Sequence, residues 1–189
     1  MELVSEAIEF AVKVHDKMRR KKSEIPYILH PLEAAVIVGT MTTDQEIIAA
    51  AVLHDVVEDT NVTINEIEEK FGKRVRELVE SETEKKRADI PASETWRIRK
   101  EESLEVLRKT NDIGVLMVWL GDKLANIRSI YRELQIEGDA LWNKFNQKDV
   151  NEHAWYYFSI VKLTECLSHN SAWLEFKTLV ELVFKKESK

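Results

Sequence analysis

The chain is poor in the residues that break or cross-link a fold. One cysteine in 189 residues, Cys166, rules out an internal disulfide and fits a reducing compartment. Three prolines and five glycines leave few obligatory turns, and Glu, Lys, Leu, Ala and Ile are plentiful, so composition favours helix. A basic excess is also missing. The 28 Lys and Arg face 34 Asp and Glu, a formal net charge of −6, with a pI near 5.5. Nucleic-acid binding as the main business needs the opposite balance, so an anionic ligand must be met by a local basic cluster or a metal. No apolar run is long enough for a bilayer; Ile113 to Leu120 falls far short of the roughly 20 residues required. The start, MELVSEAIEF, is amphipathic and acidic, without the apolar stretch of a signal peptide. These absences predict an all-α, single-domain helical globule over residues 1–189, cytoplasmic, with neither nucleic acid nor membrane as partner.

What is present is concentrated in residues 47–60, IIAAAVLHDVVEDT. The apolar run predicts one buried helix ending near Thr60-Asn61, with His54 stacked over Glu58 and Asp55 over Asp59. One imidazole and three carboxyls on an otherwise hydrocarbon helix need partners, because an unpaired buried charge is very costly. The partner is a metal ion, a set of Arg or Lys side chains, or solvent at a helix end. Solvent suits Glu58 and Asp59; it suits His54 and Asp55 poorly, since they sit inside the apolar run.

Elsewhere, residues 2–20 read as an amphipathic helix ending in a basic block, Lys17, Arg19, Arg20, Lys21 and Lys22. Such a block complements a helix dipole, but it exceeds what that purpose needs, so a phosphate-facing role stands beside it. His15 on this helix reads as a packed imidazole. Pro26 ends the helix, Tyr27 to Leu29 read as extended, and Pro31 in a first helical turn leaves His30 just before a helix start. Thr63 and Glu66 form a capping box and Gly72 a stop. Residues 82–93 read as a polar loop, with Ser93 capping a helix that carries Trp96, Arg97, Arg99 and Lys100. Arg97 and Lys100 join the basic block as the expected positive rim of a cleft. Residues 110–135 repeat the central pattern: an apolar run ends in Asp122, and Asn126 follows one turn later on the same face. Helices between 138 and 186 complete the core, with Trp155, Tyr156 and Tyr157 either packed there or lining a base-sized pocket.

The residues that require partners are therefore His30, His54, Asp55 and Asp122. Two imidazoles with two carboxylates suit a divalent ion such as Mn, Fe, Zn or Mg, and the two carboxylates neutralise it.

His54-Asp55 with a distant Asp122 resembles the HD-domain metal phosphohydrolases. Arg20-Lys21 with PYILHPLEAA, then AAVLHDVVEDTNVT, FGKRVRELV and GDKLANIRS in that order is similar to the hydrolase domain of the Rel/Spo alarmone family, in its stand-alone form. The motifs lie within residues 15–130. The resemblance implies a metal-assisted displacement that removes pyrophosphate from the 3′ position of ppGpp and pppGpp. It implies one Mn ion on His30, His54, Asp55 and Asp122, with Glu58 and Asp59 positioning and deprotonating the attacking water. Arg20 and Lys21 would face the nucleotide; Asn126 and Ser129 would contact its sugar or phosphates. Met18 stands where the family often has Gln, and Ala125 where it often has His or Tyr. An HD phosphatase acting on another 3′-phosphorylated nucleotide, including NADPH, is the alternative, and a non-catalytic nucleotide sensor a further one. The physiological metal, homodimer formation, and the roles of Arg97, Lys100 and the tail aromatics are left open.

Overall fold

Helices supply the regular structure of the computed structural model, which describes residues 2–20, 23–84, 87 and 89–184. Among these residues extended pairing is confined to an isolated antiparallel bridge between Arg19 and Pro26. In chain order the α-helices are α1 (Leu3–Val14), α2 (Leu29–Gly39), α3 (Gln45–Leu53), α4 (Val56–Asp59) and α5 (Ile64–Phe71). There follow α6 (Lys73–Glu82), α7 (Ala92–Lys109), α8 (Ile113–Glu137), α9 (Val150–Leu163) and α10 (Ser171–Phe184), with 3-10 turns at Gly138–Lys144 and Glu165–Leu167. No helix among the described residues is long and apolar enough to cross a membrane. The chain divides into two compact units: Met1–Thr83 with Asn111–Ala125, and Glu84–Thr110 with Asn126–Lys189.

In the first unit α3 is the hub, packing against α1, α2 and α6. Asp44 starts it, accepting from the backbone N–H of Glu46 at 2.9 Å. Three consecutive alanines, Ala49 to Ala51, are fully buried, so neighbouring backbones approach closely while Leu53 fills the centre. The capping box on α5 forms as expected, and Gly72 stops that helix at φ 88°. Asp112 starts α8, accepting from Gly114 N–H at 2.9 Å and pairing with both terminal nitrogens of Arg74.

Four sequence expectations are corrected. First, α1 ends at Val14, not near residue 20. His15 Nδ1 donates back to the Ala11 carbonyl at 3.0 Å, and Lys17, at φ 62°, turns the chain away from the helix. The chain then doubles back, with Arg20 N–H donating to Ile25 O and Tyr27 N–H to Met18 O. Arg19 and Arg20 thus lie on a loop and not at a helix end, which removes the helix-dipole reading; Lys21 and Lys22 fall outside the described residues. Second, Tyr27 and Ile28 form a turn and α2 begins at Leu29, so His30 is already in its first turn. Third, the central helix is broken: α3 stops at Leu53, His54 and Asp55 make a turn, and α4 is only four residues long. Fourth, α7 is entered from Pro91, which leaves Ser93 inside the first turn and not at the cap.

In the second unit α9 packs against α7 and α10. Trp96, Trp142, Tyr156, Tyr157 and Phe176 are buried there, so two of the three tail aromatics in question are core. His153 sits among Trp96, Trp142 and Phe145, with ring centroids 5.1 to 5.2 Å away. The third aromatic, Trp155, has its ring face covered by the Arg97 guanidinium at 3.3 Å.

Candidate metal centre

Three segments of the first unit deliver the polar groups: the first turn of α2, the break between α3 and α4, and the middle of α8. The apolar run of α3 carries His54 inward until it is 1% exposed. Its Nδ1 lies 2.8 Å from the Ala51 carbonyl, which can only accept, so Nδ1 carries a proton and Nε2 is the nitrogen turned to the cluster, open to a cation or to a second proton. That Nε2 faces Asp55 Oδ2 at 3.0 Å and Asp122 Oδ1 at 3.5 Å. His30 Nε2 lies 2.9 Å from Asp122 Oδ1 and 3.5 Å from Asp55 Oδ2.

Lone pairs and anionic oxygens converging in a buried space repel unless a cation stands among them. Among the described residues Nε2 of His54 has no hydrogen-bond partner of good geometry, and the candidate ligand atoms of His30, His54 and Asp122 all lie within 4.8 Å of one another. The donor set, two imidazole nitrogens and two carboxylates, fits a divalent ion of the transition series or Mg²⁺. Without an ion a proton must serve. Burial opposes the charged forms, but mutual attraction outweighs it, holding the His54 imidazole well above its ordinary value and Asp55 and Asp122 well below theirs.

Further residues fix these ligands. Tyr27 donates its hydroxyl to Asp55 Oδ2 at 2.6 Å; burial, then the charges of Asp55 and Asp59, push its pKa far up, so it stays a donor. The His15 ring packs 5.2 Å from Tyr27, and burial pushes its pKa down. Gly121 explains why α8 comes so close to α2. A Cβ there would lie 2.7 Å from a Val38 methyl and 2.9 Å from the Ala34 carbonyl oxygen, so only glycine lets the neighbouring Asp122 reach His30.

Two contributors escaped the reading of the sequence. Lys123 donates to Asp122 Oδ2 and to Glu82 Oε1, and its ammonium lies 4.8 Å from the centre of the Trp119 ring. Burial pushes the Glu82 carboxyl up to about 8, with Lys123 opposing and Asp122 adding. The available signal was a lysine directly after Asp122 in an otherwise apolar stretch. Glu82, at the end of an amphipathic helix, gave none.

Of the other expected site residues, Glu58 and Asp59 close α4 directly after Asp55 and are half-buried. The Asp59 N–H donates to the Asp55 carbonyl at 2.9 Å, so that pair keeps its helical relation across the break. Arg20 places its guanidinium 5.7 Å from the centre of the Tyr27 ring, whose hydroxyl holds Asp55; Lys21 lies outside the described residues. Asn126 and Ser129 belong to the second unit, further along α8, and Ser129 Oγ donates to Glu133 at 3.2 Å. The two α7 cations expected at a positive rim are both ion-paired. Arg97 is held by Glu101 and Glu152, and Lys100 by Glu84, so their charges are answered within their own unit.

An HD-domain family model matches residues 7–149. MESH1 of Xenopus tropicalis, a guanosine-3′,5′-bis(diphosphate) 3′-pyrophosphohydrolase, is 41% identical over 133 residues, covering 69% of this chain and 70% of that one. A guanosine-3′,5′-bis(diphosphate) 3′-pyrophosphohydrolase of Aquifex aeolicus (strain VF5) is 37% identical over 130 residues. That match covers 69% of this chain but 18% of the relative, so the chain spans less than a fifth of the longer protein. Among solved structures, a metazoan orthologue of SpoT that hydrolyses ppGpp superposes with a TM-score of 0.73 at 25% identity, over 96% of each chain. A protein of Listeria monocytogenes EGD-e gives 0.72 at 30% identity, over 83% of this chain and 99% of that one. A helical fold, a buried cluster of two imidazoles and two carboxylates, and these likenesses agree: the chain belongs to the HD-domain family, in the branch of the Rel/Spo hydrolase domains and their small metazoan relative.

Proposed function

We propose that the chain hydrolyses guanosine 3′,5′-bis(diphosphate) and its 5′-triphosphate analogue, releasing pyrophosphate from the 3′ oxygen. The observation that carries this reading is the meeting of His54 Nε2 with His30, Asp55 and Asp122 in a chain 41% identical to MESH1. His30, His54, Asp55 and Asp122 would hold one divalent ion, Mn²⁺ in this proposal. When bound, such an ion neutralises charge on a phosphoryl oxygen and makes the attacking water more acidic. The rest falls to the chain. Tyr27 orients Asp55 by its 2.6 Å hydrogen bond. Glu58 accepts the proton of the attacking water, and Asp59 holds that water in line. Arg20, with Lys21, meets the phosphates, and Asn126 and Ser129 the sugar or phosphates. Water adds to the phosphorus attached to the 3′ oxygen, that P–O bond breaks, and a 3′-hydroxyl and pyrophosphate leave.

The two units act as one hydrolase domain in this proposal, supported by a family model that spans residues of both and by a solved relative that matches 96% of the chain. A single exposed cysteine supports a cytoplasmic setting. The test is a metal-stripped, Mn²⁺-reconstituted chain offered ppGpp, pppGpp, NADPH and other 3′-phosphorylated nucleotides. Mn²⁺-dependent release of pyrophosphate from ppGpp, with much slower release of phosphate from the others, is expected. Turnover confined to the others would replace the substrate, and no turnover of any would remove the enzyme reading.

A further inference from the structure

Asp122 presents its two oxygens to two different environments. Oδ1 faces the imidazoles of His30 and His54, while Oδ2 accepts from Lys123. Lys123 is the next residue on α8, and consecutive helical side chains diverge by about 100°, so this contact is not a product of helix geometry. It needs the lysine stem to fold over Trp119, one turn earlier, which brings the ammonium back beside the carboxylate. Glu82, at the end of α6, then takes the same ammonium at 3.2 Å. The side chains of Glu82, Lys123 and Asp122 are 4%, 12% and 5% exposed. Such a buried cluster of ionisable groups is retained against a large desolvation cost, and replacing it by hydrocarbon is often neutral for stability. Stability alone is therefore a poor account of it.

We propose that Glu82 and Lys123 are a positioning pair for the metal centre: Lys123 pins Oδ2 so that Oδ1 is the oxygen offered to the ion, and Glu82 fixes Lys123. This rests on the reading that His30, His54, Asp55 and Asp122 hold a divalent ion. Outer partners that orient a ligand typically change metal affinity by about 10- to 100-fold when removed. Positioning differs from plain charge in the sign of one effect. Lys123 is a cation beside a cation site, so on charge alone its removal tightens metal binding, whereas removal of Glu82, where it is ionised, weakens it. Positioning makes both removals weaken it.

The experiment titrates Mn²⁺ into the metal-stripped full chain, as wild type, Lys123→Met, Glu82→Gln and the double variant. Circular dichroism and the metal-free melting temperature are recorded for each. Both single variants are expected to bind Mn²⁺ about 10- to 100-fold more weakly, and the double variant no more weakly than the worse single one, because the two act through one oxygen. Wild-type or tighter affinity in Lys123→Met overturns the pair, even where its melting temperature falls. If Lys123→Met does not fold, Lys123→Gln, which removes the charge and keeps most of the length, takes its place: weaker binding with native circular dichroism supports the pair, and wild-type or tighter binding overturns it. Failure of the wild-type chain to bind Mn²⁺ overturns the metal reading itself, and the pair with it.

Discussion

The His54 imidazole turns Nε2 to the Asp55 carboxylate, 3.0 Å away, because Nδ1 is committed to the Ala51 carbonyl on the other side of the ring. A neutral histidine held in that tautomer cannot satisfy its neighbour. Ion binding is thus favoured by the native state and by no extended chain, which is the condition for stabilisation by mass action. At free Mn²⁺ about a hundredfold above its dissociation constant the gain is roughly 2.7 kcal/mol, which for a chain of this size raises the melting temperature by roughly 5 to 10 °C. Differential scanning calorimetry with and without chelator measures it. Identical melting curves would mean that the cluster holds no ion.

Glu58→Gln is expected to leave Mn²⁺ and nucleotide binding near wild type and to lower kcat by several orders of magnitude. The amide keeps the shape but takes no proton, so the loss appears in the transition state. Asp55→Asn differs in kind: it removes a ligand charge and should weaken Mn²⁺ binding itself. Near-normal turnover by metal-loaded Glu58→Gln would transfer the role of base to Asp59.

Gly121→Val tests whether the approach of α8 to α2 sets the metal site. Even a Cβ would meet the Ala34 carbonyl oxygen at 2.9 Å, and valine adds two methyls to that collision. The helices must part, at a stability cost of about 1–3 kcal/mol, and the separation moves Asp122 from His30. A lower melting temperature together with weaker Mn²⁺ binding is expected. Loss of stability with undiminished affinity would show that Asp122 follows His30 regardless of the helix spacing.

His153, in the second unit, supplies a pH dependence of its own. Burial lowers its pKa, and of the charges facing it Lys100 works with burial while Asp149 and Glu152 work against it. The unfolded chain therefore takes up a proton below about pH 6.5 that the folded chain refuses. The stability this residue contributes is complete above that value and declines as pH falls below it, until the folded imidazole also titrates. Melting temperatures between pH 7.5 and 5 should fall less steeply in His153→Phe than in wild type. Parallel curves for the two chains would place the acid sensitivity elsewhere.

The helical fold and the meeting of His30, His54, Asp55 and Asp122 were legible because they rest on burial. An apolar run ending in Asp55 or Asp122 forces a charged group inward whatever the exact helix boundaries. The local path of the chain was less legible. Continuous periodicity through residues 47–60 hides the break at His54-Asp55, since nothing in the composition forbids a helix there and tertiary packing decides it. The end of α1 at Val14 turns on a lysine adopting φ 62°, which no residue preference announces. Arg97 and Lys100 looked available for phosphate because the acids that neutralise them, Glu84 and Glu152, are remote in sequence or lie across a turn.

The break between α3 and α4 also has a topological consequence. In the proposed site two residues adjacent in the chain would serve the same ion, so the other two would fix the chain at points far from it: His30 lies 24 positions before His54 (54 − 30), and Asp122 lies 67 positions after Asp55 (122 − 55). An ion bound there ties two long loops closed, restricting the unfolded chain as a disulfide would, with a knot that opens to a chelator and not to a reductant. In a chain with a single cysteine, this is the cross-link that the sequence permits.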